Sequence, residues 1–300
     1  MIFSRSFETV LTLLGRRFPT TRLVTSPCFR YGSMLAERGG ELDRWAKLRD
    51  GSDLHVSLDE AILRHLYFFG HYEERVTDLM LRVVRPGQVW LDIGANVGVF
   101  SVLLGRQVGP NGAVHAFEPN PAMATHLKLS LERNGLANVR LHPCALAEKA
   151  GQAEFHLPRR ADDADGGSGR GSLLPQHDIR DGRTIIVPVS SLDCELADER
   201  RPIFGMKIDV EGFESAVLDG ARQLFTERPP QVIFGEVTHR PDALLPPAEL
   251  IAKFISLGYE AYRSEPFKLY HAGEPLDPFR DSNRVFVHSS APQLSAMISD

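Results

Sequence analysis

Two carboxylate-bearing clusters in this chain have the residue types and spacing for chemistry on a cationic nucleoside. The first is Asp92-Ile93-Gly94-Ala95-Asn96-Val97-Gly98, directly after the apolar run Val89-Trp90-Leu91. Glycines at such a turn let a ligand approach the backbone and leave the amides of a helix start free for an anionic or polar group. The spacing is GxxxG rather than the GxGxxG of dinucleotide binders, so no pyrophosphate cradle is expected. Asp92, at the strand end, is expected to face a cation. Some 20 residues on, Phe117-Glu118-Pro119-Asn120 puts a carboxylate where a second strand ends, and from there it can hold both ribose hydroxyls of a nucleoside. The plainer alternative is an acid favoured by the dipole of a helix beginning at Pro121. S-adenosylmethionine carries an ammonium and a sulfonium but no phosphate, and suits both features.

The second cluster is Lys207-Ile208-Asp209-Val210-Glu211-Gly212, where two acids end an apolar strand. Acids there are costly unless hydrated, paired or functional. A sulfonium methyl leaves by in-line displacement, which needs the acceptor atom held about 3 Å away and, for a weak nucleophile, a base to take its proton. Asp209, Glu211 and His239 are the expected catalytic groups, with Glu236 a further candidate, and two like charges so close should raise one pKa. Glu211 has the alternative of capping the next helix. His142, ending a third strand, is read as lying near the adenine or packing locally. Tyr72-Glu73 either folds over the donor or simply begins a helix, where acids are favoured.

Those groups need a frame, and the hydrophobic pattern supplies one. Strands are expected at 54–58, 89–93, 113–117, 139–141, 204–210 and 231–237, and helices at 73–84, 98–107, 121–133, between the last two strands, and at 247–257. Such alternation implies right-handed βαβ units and a doubly wound, mostly parallel sheet. Residues 153–157 and 184–189 read as two extra strands flanking a polar stretch, 159–183, expected to be a mobile loop that is either an acceptor lid or a surface insertion. Residues 1–50 read as an amino-terminal extension and 51–300 as the donor-binding domain.

The formal charge of -5 provides no field for a phosphate backbone, which argues against a nucleic-acid partner. Cys28, Cys144 and Cys194 are odd in number and far apart, so a reducing cytoplasm fits better than a disulfide framework or a zinc site. No metal is expected. The run Val10 to Leu14 is too short to span a bilayer; it would form a weak amphipathic helix that touches a membrane or partner, or packs on its own protein.

The chain resembles the FkbM-type family of class I S-adenosylmethionine-dependent methyltransferases. The matching text is Gly70-His71-Tyr72-Glu73, Pro86-Gly87, Leu91 to Gly98, Phe117 to Asn120, Pro188 to Asp193, Lys207 to Glu214 and Asn283 to Val287, covering about 54–288. The resemblance implies a seven-stranded Rossmann-like sheet with one reversed strand near the end. It also implies O-methylation of a sugar, glycan, polyketide or other small-molecule hydroxyl. The donor is expected against Asp92, Gly94, Asn96, Gly98, Glu118, Pro119, Asn120, Ala145, Tyr72 and Glu73. Partners are then a small-molecule or glycan acceptor and, in a homodimer, a second copy. Gly94→Val is expected to block the donor while sparing the fold. A nicotinamide oxidoreductase would want a tighter glycine turn and a Tyr-Lys or His pair, which the sequence lacks; a non-catalytic nucleoside binder of the same fold would have lost the glycines or Glu118.

Overall fold

The computed structural model describes residues 5–18, 22–37, 40–157, 171–174, 183–237, 240–264, 267–269 and 283–299. Helices Arg5–Arg17 and Arg22–Glu37 come first, then an antiparallel hairpin of β1 (Asp43–Lys47) and β2 (Asp53–Ser57) that crosses the 50/51 boundary. The helix Ala61–Phe69 follows, then Glu74–Val83. The first of these was not foreseen. Its text is almost wholly apolar, so no clean polar face marks its period, and Gly70 in the left-handed region (φ 76) ends it.

The sheet is built from β3 (Val89–Ile93), β4 (Ala113–Phe117) and β5 (Val139–His142), all parallel. A separate small sheet of β6 (Ala145–Leu146), β7 (Gly151–Leu157) and β8 (Arg183–Ser190) interrupts the rhythm; β7 and β8 are the two extra strands, paired antiparallel. The main sheet resumes with β9 (Ile203–Ile208), β10 (Val232–Glu236), β11 (Tyr259–Ser264), β12 (Phe267–Leu269) and β13 (Asn283–His288). Its order is β12-β11-β13-β10-β9-β3-β4-β5, with β13 antiparallel to both neighbours. Seven strands match the expected class I arrangement with one reversed strand, and β12 adds a short antiparallel edge.

All five residues of β3 are buried. Alternation sends Trp90 into the core on one face and Val89, Leu91 and Ile93 into the core on the other, so the strand is clamped from both sides. The chain leaves β3 towards β4 and β5, then returns to lay β9 on the opposite flank. That reversal opens a crevice beyond the carboxyl ends of β3 and β9, where ligands of open α/β sheets bind.

Candidate active site

The turn after β3 folds over the end of β4, with Gly94 and Ala95 N–H both donating to the Phe117 carbonyl at 3.0 and 2.9 Å. Gly94 sits at φ 79, and a Cβ there would lie 1.8 Å from the carbonyl oxygen of Asp209. The glycine therefore lets two parts of the chain itself meet, which overturns the expectation that Gly94→Val spares the fold. We expect that variant to lose thermal midpoint on the order of 5 °C or more in a calorimetric melt even without ligand, the scale for about 2 kcal/mol of strain in a chain this long. An unchanged melt would return the glycine to a purely ligand-facing role.

Glu118 lies beyond the end of β4 and is buried. Its Oε2 accepts from Asn96 N–H at 2.7 Å and its Oε1 from Asn120 N–H at 2.8 Å. Burial pushes its pKa up to about 7, although those two amides oppose the shift. Asn120 caps the following helix, its Oδ1 accepting from Ala122 N–H at 3.0 Å, and Glu118 stands two residues before that cap. Each oxygen of Glu118 keeps accepting capacity for a further donor.

Facing that carboxylate across the crevice is a charged group centred on Lys207, which is 6 % exposed. Its Nζ donates to Asp209 Oδ2 at 3.1 Å and to the Gly94 carbonyl at 3.4 Å. Burial alone would lower its pKa; the charges of Asp209, Asp92 and Glu73 more than offset that and hold it charged. Strand β9 ends at Ile208, two residues short of the expected 210, so Glu211 lies beyond it in the following turn. It takes φ 54 and accepts from Arg240 Nη1 at 2.7 Å. Nor does Glu211 cap the next helix: Glu214 Oε1 takes the Val210 and Gly212 amides, both at 3.2 Å, and so shapes the loop.

Two neighbours of the Asp209/Glu211 pair carry raised pKa values. Burial and the charge of Asp209 drive the pKa of Glu236 far above the ordinary carboxylate range, and the two carboxyl groups are hydrogen-bonded to each other. Glu73 is pushed up to about 7 by burial and by Asp209. Its side chain makes no helix cap, and it lines the crevice with Tyr72. Glu73, Asn96 and Glu211 are the non-glycine residues with positive φ among the described residues, and all three line this one crevice.

Pro119, Asn120 and Ala145 also line it, beside Gly94. Asp92 and Gly98 do not. Asp92 is fully buried, accepting from Ser101 Oγ at 2.5 Å, while its Oδ1 has no hydrogen-bond partner. It faces cationic Lys207 electrostatically rather than the open crevice. His142 packs locally, stacked on Phe117 and bonded to Glu195 and His115. His239 and most of 159–183 lie outside the described residues, although Gly171 and Leu173 reach the crevice wall. Asp209, Glu211 and Glu236 bring carboxylate oxygens within 4.8 Å of one another, a grouping able to hold a metal ion. Lys207 and Arg240 already supply cations to two of the three.

Lys207, Glu214 and Arg240 were given no role from sequence. Lys207 alone carried a signal, as a lone cation inside an apolar strand; Arg240 lies on a loop whose fold is invisible to periodicity.

The strand order and the acid-ended β4 beside a glycine turn define a class I methyltransferase sheet. Residues 92–261, more than half of the chain, match the family model described as the methyltransferase FkbM domain. The chain belongs to the FkbM methyltransferase family. It is 40 % identical over 68 residues to the 31-O-demethyl-FK506 methyltransferase FkbM of Streptomyces tacrolimicus, a match spanning 23 % of this chain and about a quarter of that relative's length. Among solved structures it is similar to the O-methyltransferase from Bacillus cereus in complex with SAH, at 12 % identity and TM-score 0.41, covering 93 % of this chain and 96 % of that one. A SAM-dependent methyltransferase from Aquifex aeolicus aligns at 14 % identity and TM-score 0.37, over 71 % and 87 % of the two chains.

Proposed function

We propose that the chain transfers a methyl group from S-adenosylmethionine to a hydroxyl oxygen of a small molecule or glycan. The observation that carries this reading is Glu118, buried and fixed by two backbone amides at the rim of a crevice rich in carboxylates. A pair of ribose hydroxyls fits the remaining accepting capacity of that carboxylate, and a sulfonium and ammonium fit the acidic surroundings. When bound, the donor supplies an electrophilic methyl group. The chain's own part is to hold the ribose through Glu118 and to place a proton acceptor. Lys207 steadies Asp209 as a carboxylate, and Glu236, protonated, donates to it; Asp209 is then the group that takes the acceptor's proton.

Calorimetric titration tests the reading: S-adenosylmethionine and its demethylated product should bind, and NAD should not. Binding of NAD with no response to S-adenosylmethionine would replace methyl transfer with nicotinamide chemistry. Turnover should also survive a strong chelator, since both better-placed carboxylates already have cationic partners. Turnover lost with chelator and restored by magnesium would make the three-carboxylate group a metal site.

A further inference from the structure

We infer that the helix Arg5–Arg17 docks the protein on an anionic lipid surface. Five of the nine large hydrophobic side chains exposed among the described residues lie on this helix and the residue after it: Phe7, Val10, Leu13, Leu14 and Phe18. At 100° per residue they fall on one arc about 140° wide, whereas Glu8, Leu11 and Gly15 occupy the adjoining arc and are buried. That inward face packs on the helix Ala61–Phe69; a Cβ on Gly15 would lie 2.8 Å from the Phe68 carbonyl. The apolar arc is therefore not the face that builds the core. Leu13, at 64 %, is the most exposed of the five. Contiguous exposure of this kind marks an interaction surface, unlike single exposed residues such as Ile186 or Leu244.

Charge selects the occupant. Glu8, the sole acid of the helix, is buried, and its carboxylate accepts from Arg44, Tyr31 and Tyr67. The exposed side thus carries no acid, but ends in Arg17, whose guanidinium lies 5.9 Å from the Phe18 ring centre. Residues 1–37 contain five arginines against two glutamates in a chain of net charge -5. A second copy meeting this face symmetrically would set arginine against arginine with no acid to receive either. Anionic headgroups meet both requirements, with the apolar arc in the acyl boundary and the arginines among the phosphates. Among the described residues no helix is long and apolar enough to cross a membrane, so the contact is lateral and peripheral.

The test is flotation of the full chain with vesicles of phosphatidylcholine alone and of phosphatidylcholine with phosphatidylglycerol. The chain should float with the mixed vesicles, less so as salt rises, and far less with phosphatidylcholine alone. The double variant V10D/L13D should lose at least about tenfold in partitioning with its thermal midpoint unchanged, because both side chains point away from the core. Should that variant melt early, Leu13→Gln alone serves, with a smaller loss expected. Equal flotation of parent and variants overturns the proposal, as does absence of flotation. A concentration-dependent dimer that V10D/L13D dissolves, without vesicle binding, also overturns it and assigns the face to a second copy.

Discussion

Asp209→Asn should fold like the parent, bind the donor nearly as well, and lose about 10²-fold or more in turnover at saturating donor and acceptor. Its carboxylate lies between the Lys207 ammonium and the Glu236 carboxyl, so it remains an acceptor of protons inside a buried site. The amide keeps the shape and removes the basicity. Glu236→Gln is the informative companion. If Glu236 works in its protonated form as a donor to Asp209, glutamine reproduces that donor and turnover should stay within about threefold of the parent, a loss of less than 1 kcal/mol. Glu211→Gln weakens the pair with Arg240 and should fall between the two. Rapid-quench kinetics with labelled donor separates the transfer step from release. Near-parental turnover in both Asp209→Asn and Glu211→Gln would remove the pair from the mechanism and direct attention to Glu73 and His239.

Glu118→Ala should weaken donor binding by roughly 2 to 3 kcal/mol, or about 30- to 160-fold in Kd, as expected for two charge-assisted hydrogen bonds lost from a buried site. An analogue without ribose hydroxyls should bind parent and variant about equally; a parent and variant that both prefer the intact ribose would give Glu118 another task. The same residue predicts a pH dependence. With its pKa raised to about 7, the ligand-free fold favours the protonated form. The stability tied to that form is full below about 4.5 and is lost as pH rises through about 7. Ribose hydroxyls favour the carboxylate, so donor affinity should be highest above pH 7 and decline below it. A flat affinity between about pH 5.5 and 8, roughly the titration range of such a group, would argue that Glu118 does not meet the donor as a carboxylate.

Much of this molecule is legible wherever residues obey a period. The buried run at Val89–Ile93, the acid ending β4 and the Pro-and-Gly punctuation of Pro121–Asn134 name their own elements. Legibility fails where a residue's role depends on what arrives from elsewhere in the chain. Gly94 looks like a glycine kept open for a ligand, yet the atom nearest its missing Cβ belongs to Asp209, 115 positions on. Asp92 looks like a ligand contact at a strand end, yet its strand buries it behind Ser101 and the turn. Neither Glu236 nor Glu73 could be assigned a raised pKa from sequence, because the shift comes from burial and from Asp209, far away along the chain. The helix between β9 and β10 divides into Glu214–Asp219 and Arg222–Glu227 at Gly220, whose backbone meets the Ala147 carbonyl. Of the amino-terminal helices, only the first had a signal in the run Val10 to Leu14; Arg22–Glu37, interrupted by Pro27, had none.

Among the described residues, the three left-handed non-glycine residues all lie around this crevice. Glu73 and Glu211 hold a backbone conformation that a side chain resists by about 1 kcal/mol or more, while Asn96 tolerates it best. Glycine at any of the three would relax the main chain and delete a side chain from the crevice wall. A breeding programme that rewarded heat resistance alone would therefore drift towards glycine at these positions and produce sturdy proteins with idle pockets. Selection has to score turnover and melting together, because among the described residues the least comfortable stretches of backbone are those that shape the crevice.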